Sequence, residues 1–496
     1  MIVRLKKHLQ KTPYFIFLLP LFLVLHIELE FRYLIEYRFV FTEIFQLVIV
    51  SPILFFLFYY WMKDMYKAGL TAFAWSVVYY YFCDLKDFLN SQSPESFFSS
   101  YMFLLPLVLI ALILFTFYVA RSNKRYPAQF LYLNLLFMAF LVFNIIGLFS
   151  TKKVSGDLGD QKKTLTNQYQ PCDTCEHPDI YYIVFDAYSA TKVLKTEFGF
   201  DNTRIDSFLA DKGFFLAKNS QSNYNRTAYS IGSTFNMNYL EKYKSGQAFF
   251  LKEFLLAVTS VFYSELIPIL KKEGYQIINH SIFDFEGVRS KPQMFDPWDR
   301  RIIYTRHSIL NKIDDDLGWA VRQFFGVNSL SRGEIKYAEE RNNSVYRTAH
   351  AFTEAIKKQS ETPRFVYTHL LVPHPPYAMD STGHPLPEET ISTIETAKGY
   401  GGQIKYSNAL IQKFVHEIFY YSSKPFIIIL QSDHGFNFIQ PHQQQFRLAN
   451  HSAIYFFNKD YRQLSDSLRN INTFRVVLNT FFNQDYSMLK DSSIHF

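Results

Sequence analysis

The chain has 496 residues, which is too long for one ordinary domain. Its three cysteines exclude a scaffold built on disulfides, and its formal net charge of +7 comes without a basic stripe, so nucleic-acid binding has no support. Apolar residues dominate the first 150 positions, whereas the remainder has the composition of an ordinary soluble protein. We therefore predict a transmembrane domain over 1–150, a linker over 151–178 and an outer domain over 179–496.

Apolar stretches near the length needed to cross a hydrocarbon core of ~30 Å recur in the first domain. The first contains Pro20 and His26, and the third contains Trp75 and many tyrosines, so these two have the weakest signals. No small-residue cleavage site follows the first stretch, which favours an anchor over a cleaved signal peptide. The sequence predicts a bundle of about five membrane helices, at 14–29, 43–62, 68–84, 100–120 and 129–149.

Basic residues predict the orientation of this bundle. They precede the first stretch and occupy alternate loops, while acidic residues occupy the opposite loops. The pattern predicts a cytoplasmic N-terminus in an inner or plasma membrane, and an odd number of crossings then leaves the outer domain extracytoplasmic. It does not decide whether the bundle only tethers that domain or also admits a lipid. The basic residues are Arg4, Lys6, Lys7, Lys11, Lys63, Lys67, Arg121, Lys124 and Arg125.

The predicted linker contains Cys172 and Cys175. One C-x-x-C pair without a second Cys or His pair is weak evidence for zinc, and no βαβ pattern surrounds it to favour a thioredoxin-type role. If the segment is extracytoplasmic, a small local disulfide is the favoured interpretation.

Strand-like and helical patterns alternate in the outer domain. Helical patterns cover Ser344–Lys358 and Ile404–Tyr421, whereas residues 284–335 fit the alternation poorly and are expected to be an insertion. This alternation predicts an α/β domain with a mainly parallel central sheet. The strand-like runs are Tyr181–Phe185, Tyr275–Ile278, Phe365–His369, Phe426–Leu430 and Ala453–Phe457.

Two of these strands end in residues that bind metals. Asp186 follows the first, and Ser432-Asp433-His434-Gly435 follows the apolar run 425–430. Ligands of open α/β sheets collect at the carboxyl ends of such strands, and carboxylate oxygen with imidazole nitrogen suits a divalent metal. An Asp-His-Gly sequence is also an ordinary turn, with Asp capping the backbone and Gly supplying positive φ. The two strands together favour the metal interpretation.

Thr227 begins a segment that is predicted to open a helix. A helix N-terminus suits a phosphate oxygen, and metal coordination would activate the otherwise weakly nucleophilic hydroxyl. The alternative is that Thr227 only caps the helix. The spacing of residues does not separate these interpretations.

His374 lies in a proline-rich turn after the strand that ends at His369. It could bind an anionic substrate, protonate a leaving group or hold a second metal, or it could be a surface histidine fixed by prolines. His442 and His451 are further candidates, although each alone is more often structural.

Together, Asp186 after a strand, Thr227 at a helix start, the His374-Pro-Pro-Tyr turn and Ser-Asp433-His434-Gly resemble the alkaline phosphatase/sulfatase superfamily. Five membrane segments before such a domain are similar to its lipoteichoic acid synthase and phosphoethanolamine transferase branches. The resemblance implies a sulfatase-like α/β fold and one divalent ion held by Asp186, Thr227, Asp433 and His434. It also implies a covalent intermediate on Thr227 and substrate contact by His374.

The chain departs from these relatives at three points. Asp186 stands where the transferase branches usually have Glu, and the outer domain has fewer cysteines than the phosphoethanolamine transferases. The region around Thr227 also lacks the C/S-x-P-x-R motif from which sulfatases make formylglycine, which counts against sulfate-ester cleavage. The headgroup that is transferred is therefore not determined.

The sequence thus predicts a membrane-anchored, metal-dependent phosphoryl-type transferase. Its metal is expected to be zinc or manganese, with magnesium and calcium not excluded, its donor a phospholipid and its acceptor an envelope lipid or glycan. The alternatives are a phosphate or sulfate ester hydrolase, and an inactive sulfatase-fold sensor or assembly protein. A transporter is disfavoured because the membrane segments have few charged residues.

Overall fold

The computed structural model describes residues 2–31, 37–92, 97–150, 164–240, 251–291, 304, 307–310, 313, 332–437 and 446–494. The chain divides into two compact units. One contains Met1–Val154 and Trp298–Asn328, and the other contains Ser155–Pro297 and Ser329–Phe496. Much of the predicted insertion at 284–335, and residues 151–163 of the predicted linker, lie outside the described residues.

The first unit is helical. Its described part begins with a short helix that carries Lys6 and Lys7 in its last turn, and five long helices follow. These five coincide with the five apolar stretches, so the predicted helical bundle is confirmed. The helices are α1 (Ile2–Leu9), α2 (Phe15–Phe31), α3 (Tyr37–Met62), α4 (Met65–Gln92), α5 (Tyr101–Arg121) and α6 (Pro127–Ser150).

By length and composition, four described segments can cross a membrane. Three belong to the first unit: Val40–Met62, Tyr101–Arg121 and Pro127–Phe149. In the fourth segment, Glu253–Lys272, 56% of the most apolar stretch is buried inside the protein. The corresponding buried share is 22% or less in the other three segments. The fourth segment is divided between two helices of the second unit, and we interpret it as an interior segment of that unit.

Asn134 of α6 forms hydrogen bonds with the backbone where the helix is interrupted between α1 and α2. Its amide donates to the carbonyl oxygens of Leu9 (2.7 Å) and Thr12 (2.8 Å), and its Oδ1 accepts from the N–H of Phe15 (2.9 Å). Backbone groups at helix ends have no partner within their helix, and such groups are costly in hydrocarbon. One buried amide therefore satisfies three of them.

The second unit is built on a six-stranded sheet. The strands are β1 (Asp179–Phe185), β2 (Phe215–Leu216), β3 (Gln276–His280), β4 (Arg364–Leu370), β5 (Phe426–Gln431) and β6 (Ser452–Phe456). Their order is β2-β6-β5-β1-β4-β3. The helices are α7 (Thr164–Gln168), α8 (Thr191–Phe198), α9 (Thr203–Asp211), α10 (Thr227–Asn236), α11 (Leu251–Phe262), α12 (Leu266–Lys272), α13 (Arg332–Lys357), α14 (Glu388–Thr393), α15 (Thr396–Tyr421) and α16 (Thr473–Phe481).

The centre of the sheet is parallel, as the sequence predicts. Strand β1 pairs in parallel with both β4 and β5, and every residue of these three strands is buried. Such burial on both faces explains their nearly continuous apolar sequences. One edge differs, because β5–β6 and β2–β6 are antiparallel pairs, so the sheet is mixed. The carboxyl ends of β1, β4 and β5 consequently lie side by side.

A buried ion pair holds the opposite end of these strands together. Arg364 at the start of β4 donates from Nε (3.0 Å) and Nη2 (2.7 Å) to Oδ2 of Asp179 at the start of β1. The N–H of Arg364 donates to Oδ1 of the same carboxylate (2.8 Å). Both side chains are 6% exposed, so each charge depends on the other for solvation.

We expect Asp179→Ala to lower the free energy of unfolding by about 3–5 kcal/mol, because the Arg364 charge would stay buried without its partner. Hydrogen exchange of the β1 and β4 amides in the full chain measures this loss of protection. Asp460→Ala is the matched control, since it removes the partner of the 87% exposed Arg462 and should leave the exchange unchanged. Equal exchange in both variants would contradict the assigned importance of the buried pair.

The described end of the predicted linker belongs to the second unit and packs against its other residues. Oε1 of Glu273 accepts hydrogen bonds from the Tyr169 hydroxyl (2.6 Å) and the Cys172 N–H (3.0 Å). A disulfide joins Cys172 to Cys175, in agreement with the favoured interpretation of this pair. This part of the chain is thus an ordered extension of the outer domain.

Candidate active site

Three neighbouring parallel strands deliver polar side chains to one edge of the sheet. Asp186 follows β1, Asp433 and His434 follow β5, and His369 is the penultimate residue of β4. The register places both His369 and Gln431 opposite Val184. Side chains that lie far apart along the sequence therefore meet because the strands pair in parallel and end together.

Asp186, Asp433 and His434 form a compact group of buried ligand atoms. One ligand atom from each residue lies within 4.8 Å of the others. Nε2 of His434 is 3.3 Å from Oδ2 of Asp433 and 3.9 Å from Oδ1 of Asp186. The three residues are at most 4% exposed, so water cannot easily solvate these oxygens.

The unsatisfied atoms of this group fit a divalent cation. Oδ1 of Asp186 and Oδ2 of Asp433 are buried without hydrogen-bond partners. Nδ1 of His434 lies 2.7 Å from the carbonyl oxygen of Gly435, which can only accept, so Nδ1 carries the proton and Nε2 presents a lone pair. Three facing electron pairs repel one another unless a cation lies between them, and this donor set suits zinc or manganese.

The backbone around the ligands is held firmly. Ala187 has a φ of +62°, unusual for a residue with a Cβ, and its N–H donates to Oδ1 of Asp433 (3.0 Å). Ser230 donates to the carbonyl oxygen of Asp433 (2.5 Å), and Asn470 donates to that of Ser432 (2.9 Å). Such outer contacts orient metal ligands.

Gly435 has a different role from the one expected for a turn. Its φ is not positive; instead a Cβ there would lie 2.5 Å from the carbonyl oxygens of Phe446 and Ala449. The N–H of Gly435 donates to the carbonyl oxygen of Arg447 (2.8 Å). Glycine is needed here because another segment of backbone passes close to it.

The two carboxylates differ in their electrostatic environment. Burial, reinforced by the charge of Asp433, raises the pKa of Asp186 well above its ordinary value. Burial also opposes ionisation of Asp433, but the imidazoles of His434 and His369 and the N–H of Ala187 outweigh it and lower the pKa of Asp433. A site that crowds buried carboxyl groups in this way favours a bound cation.

Thr227 is the first residue of α10, and its hydroxyl joins the cluster. Oγ1 lies 3.2 Å from Nε2 of His434, and the hydroxyl contributes to lowering the pKa of the neighbouring Asp433. The cap position is occupied by Arg226, whose side chain makes no capping hydrogen bond. Thr227 thus lies just inside the helix, and its hydroxyl faces Asp433 and His434 after β5.

His374 lies within electrostatic reach of Asp433 and His434. Its Nδ1 donates to the carbonyl oxygen of Pro375 (2.6 Å). Burial, together with the Arg341 guanidinium, lowers the pKa of His374 to about 3. The imidazole is thus held neutral and in a fixed orientation beside the cluster.

Of the other candidate histidines, one faces the cluster and one pairs with a different carboxylate. His369 is 1% exposed, its Nε2 has no hydrogen-bond partner and lies 3.9 Å from Oδ2 of Asp186, and its Nδ1 lies 2.9 Å from the Tyr367 hydroxyl. His451 instead pairs with Asp206 at 3.2 Å. His442 lies outside the described residues.

Arg341 belongs to the site as well, although its sequence context does not predict it. This residue of α13 is 4% exposed and donates to the carbonyl oxygens of Leu371 and Pro375, which flank the His374 turn. Arg341 also interacts electrostatically with Asp186. A lone arginine in a polar helix is usually solvent-exposed, so no local signal distinguishes it.

A protein-family model described as Sulfatase matches residues 202–455, just over half of the chain. Comparison with curated proteins gives no match.

Several solved structures are similar to this chain. The C-terminal periplasmic domain of phosphoethanolamine transferase EptC from Campylobacter jejuni is 14% identical, with a TM-score of 0.39 over 64% of this chain and 94% of that chain. The integral membrane protein lipooligosaccharide phosphoethanolamine transferase A from Neisseria meningitidis is 12% identical, with a TM-score of 0.39 over 81% of this chain and 79% of that chain. An alkaline phosphatase superfamily protein from Vibrio parahaemolyticus is 14% identical, with a TM-score of 0.36 over 62% of this chain and 68% of that chain.

Proposed function

Because this chain belongs to the sulfatase family, we propose that it is a membrane-anchored, metal-dependent phosphoryl-type transferase with Thr227 as its nucleophile. One observation carries the proposal. The Thr227 hydroxyl, at the start of a helix, lies 3.2 Å from Nε2 of His434, within a cluster in which one oxygen of each buried carboxylate has no hydrogen-bond partner. That combination suits attack on an oxyanion better than it suits a purely structural turn.

Asp186, Asp433, His434 and Thr227 are the residues that would hold the metal. A divalent ion bound there would stabilise charge on the substrate oxyanion and lower the pKa of a coordinated hydroxyl. Zinc and manganese suit these oxygen and nitrogen donors best.

Thr227 performs the transfer in this proposal. A bond forms between Oγ1 and phosphorus while the bond from phosphorus to the leaving oxygen breaks. The Asp433 carboxylate lies beside the Thr227 hydroxyl and takes its proton, while the leaving oxygen takes a proton from solvent. His374, held by its Nδ1–H, contacts the substrate. An acceptor hydroxyl then displaces Thr227 and restores the enzyme.

A membrane location suggests the substrates. Three described segments of the first unit are long and apolar enough to span a bilayer, and they belong to the same chain as the site. A phospholipid donor and an acceptor hydroxyl on an envelope lipid or glycan are therefore the substrate classes we assign. We also assign the site to the extracytoplasmic side, on the charge pattern of the loops.

The test is to trap the covalent intermediate. Full-length enzyme in detergent, loaded with zinc or manganese, is mixed with phospholipids of defined headgroup, and its peptides are examined by mass spectrometry. We expect the peptide that contains Thr227 to gain one phospho-headgroup while diacylglycerol is released. Thr227→Val should form no adduct, whereas Thr234→Val, the same change later in α10, should form it normally.

The fate of the adduct separates transfer from hydrolysis. The family model itself is described as Sulfatase, which favours ester hydrolysis as the second candidate. Release of the headgroup only to water would establish a hydrolase. Turnover without any adduct on Thr227 would refute the nucleophile assignment.

A further inference from the structure

Arg341 carries a positive charge into the protein interior beside the candidate active site. It is 4% exposed, and burial lowers the pKa of its guanidinium, which nevertheless stays protonated at any physiological pH. Its side chain donates to the carbonyl oxygens of Leu371 and Pro375, on either side of His374. The charge is therefore held next to the turn that carries a proposed substrate contact.

No carboxylate of the described residues neutralises this charge by direct contact. Among the described residues, Arg341 forms no ion pair within 4.0 Å, and Asp186 acts on it only at longer range. A buried charge is costly unless it is paired. The position of Arg341 consequently favours an anion that comes from outside the chain.

Hydrogen bonds that hold the loop around His374 in place do not require a charged donor. The next residue, Asn342, donates its neutral side-chain amide to the carbonyl oxygen of Ala378 (2.9 Å) and so holds the same loop. A guanidinium has five N–H donors, and the two carbonyl oxygens do not use all of them. The two described hydrogen bonds therefore account for only some of its donors, and neither of them needs a charged donor.

The net charge of the site indicates that its ligand is an anion. A divalent ion would balance the carboxylates of Asp186 and Asp433, and Arg341 would then leave the site with one net positive charge. We propose that Arg341 binds the non-bridging oxygens of a tetrahedral oxyanion, a phosphate or sulfate ester group, while that group is held at the metal-binding cluster. This inference rests on the metal site of the proposed function and names the group that selects its anionic substrates.

Equilibrium binding of inorganic phosphate to the metal-loaded full chain tests the proposal without requiring turnover. We expect Arg341→Gln to weaken phosphate binding by about tenfold or more, because a charge-assisted hydrogen bond is lost, with unchanged metal content. Asn342→Ala, which removes a neighbouring brace of the same loop, should change the affinity by less than about threefold. Arg341→Lys keeps the positive charge but loses the planar set of guanidinium donors, so its phosphate affinity should lie between those of the other two variants.

Two results would overturn the proposal: unchanged phosphate affinity in Arg341→Gln, or an equal loss in Asn342→Ala. If Arg341→Gln does not fold, a crystal structure of the metal-loaded wild type with vanadate tests whether Arg341 contacts the bound oxyanion. We expect a guanidinium nitrogen about 3 Å from a vanadate oxygen, and a vanadate out of reach of Arg341 would refute the assignment. A wild type that binds metal and phosphate but forms no Thr227 adduct would refute only the proposed function. A wild type without metal would refute both.

Discussion

Replacing Thr227 by alanine is expected to reduce transfer at least about 1,000-fold while leaving the fold intact, because the change removes the attacking oxygen itself. The structural cost is small, since Arg226 and not Thr227 occupies the cap position of the helix. The measurement is release of diacylglycerol from a labelled phospholipid by the full-length protein. Circular dichroism and metal content establish that the variant is folded and loaded.

Thr227→Ser is the matched control, because it keeps the hydroxyl and removes only a methyl group. We expect it to retain measurable transfer. If Thr227→Ala kept more than about a tenth of the wild-type rate, direct attack by water or by the acceptor would replace the covalent mechanism. Full biological function of an inactive Thr227→Ala variant in cells would instead favour the sensor or assembly role.

Asp433→Asn is expected to abolish stoichiometric metal binding. The amide can still accept the N–H of Ala187 at Oδ1, so the turn after β5 should keep its shape. It removes one of two crowded buried carboxyl groups, and the metal-free variant should therefore be at least as stable as the metal-free wild type. Elemental analysis of the purified full chain measures the metal directly.

Thermal denaturation with and without a chelator gives an independent readout of the same site. A metal present at 1,000 times its dissociation constant stabilises the folded state by about 4 kcal/mol, so chelation should lower the melting temperature of the wild type but not of Asp433→Asn. Asp206→Asn is the control, because Asp206 also pairs with a histidine, His451, but lies outside the cluster. A chelator effect that persisted in Asp433→Asn, or that vanished in Asp206→Asn, would place the metal elsewhere.

Local sequence was sufficient for most of the secondary structure of this chain. Residues of β1, β4 and β5 are buried on both faces, so their sequences have to be apolar almost throughout, and that pattern can be read directly from the residues. Helices of the first unit are equally recognisable, because a membrane requires long apolar segments. The short strand β2 escaped prediction, since Phe215 and Leu216 alone form no pattern.

That the candidate metal-binding residues lie together was also predictable, from their positions after the strands. Asp186, Asp433 and His434 directly follow strands, and parallel strands that pair must end at one edge, so strand order alone brings their side chains together. The sequence could not show that Thr227 lies inside the helix rather than at its cap, because a threonine at a helix start is typical of the cap position, which Arg226 occupies here.

The helical bundle, the α/β domain and the candidate metal-binding residues could thus be predicted from local sequence, since each depends on periodicity or on position relative to a strand. The other polar residues beside that cluster could be identified only from the folded chain. His451 pairs with Asp206, His369 faces Asp186, and Arg341 reaches the His374 turn from a distant helix. Burial and charge at those positions arise from contacts between segments far apart in the chain, and local sequence carries no record of such contacts.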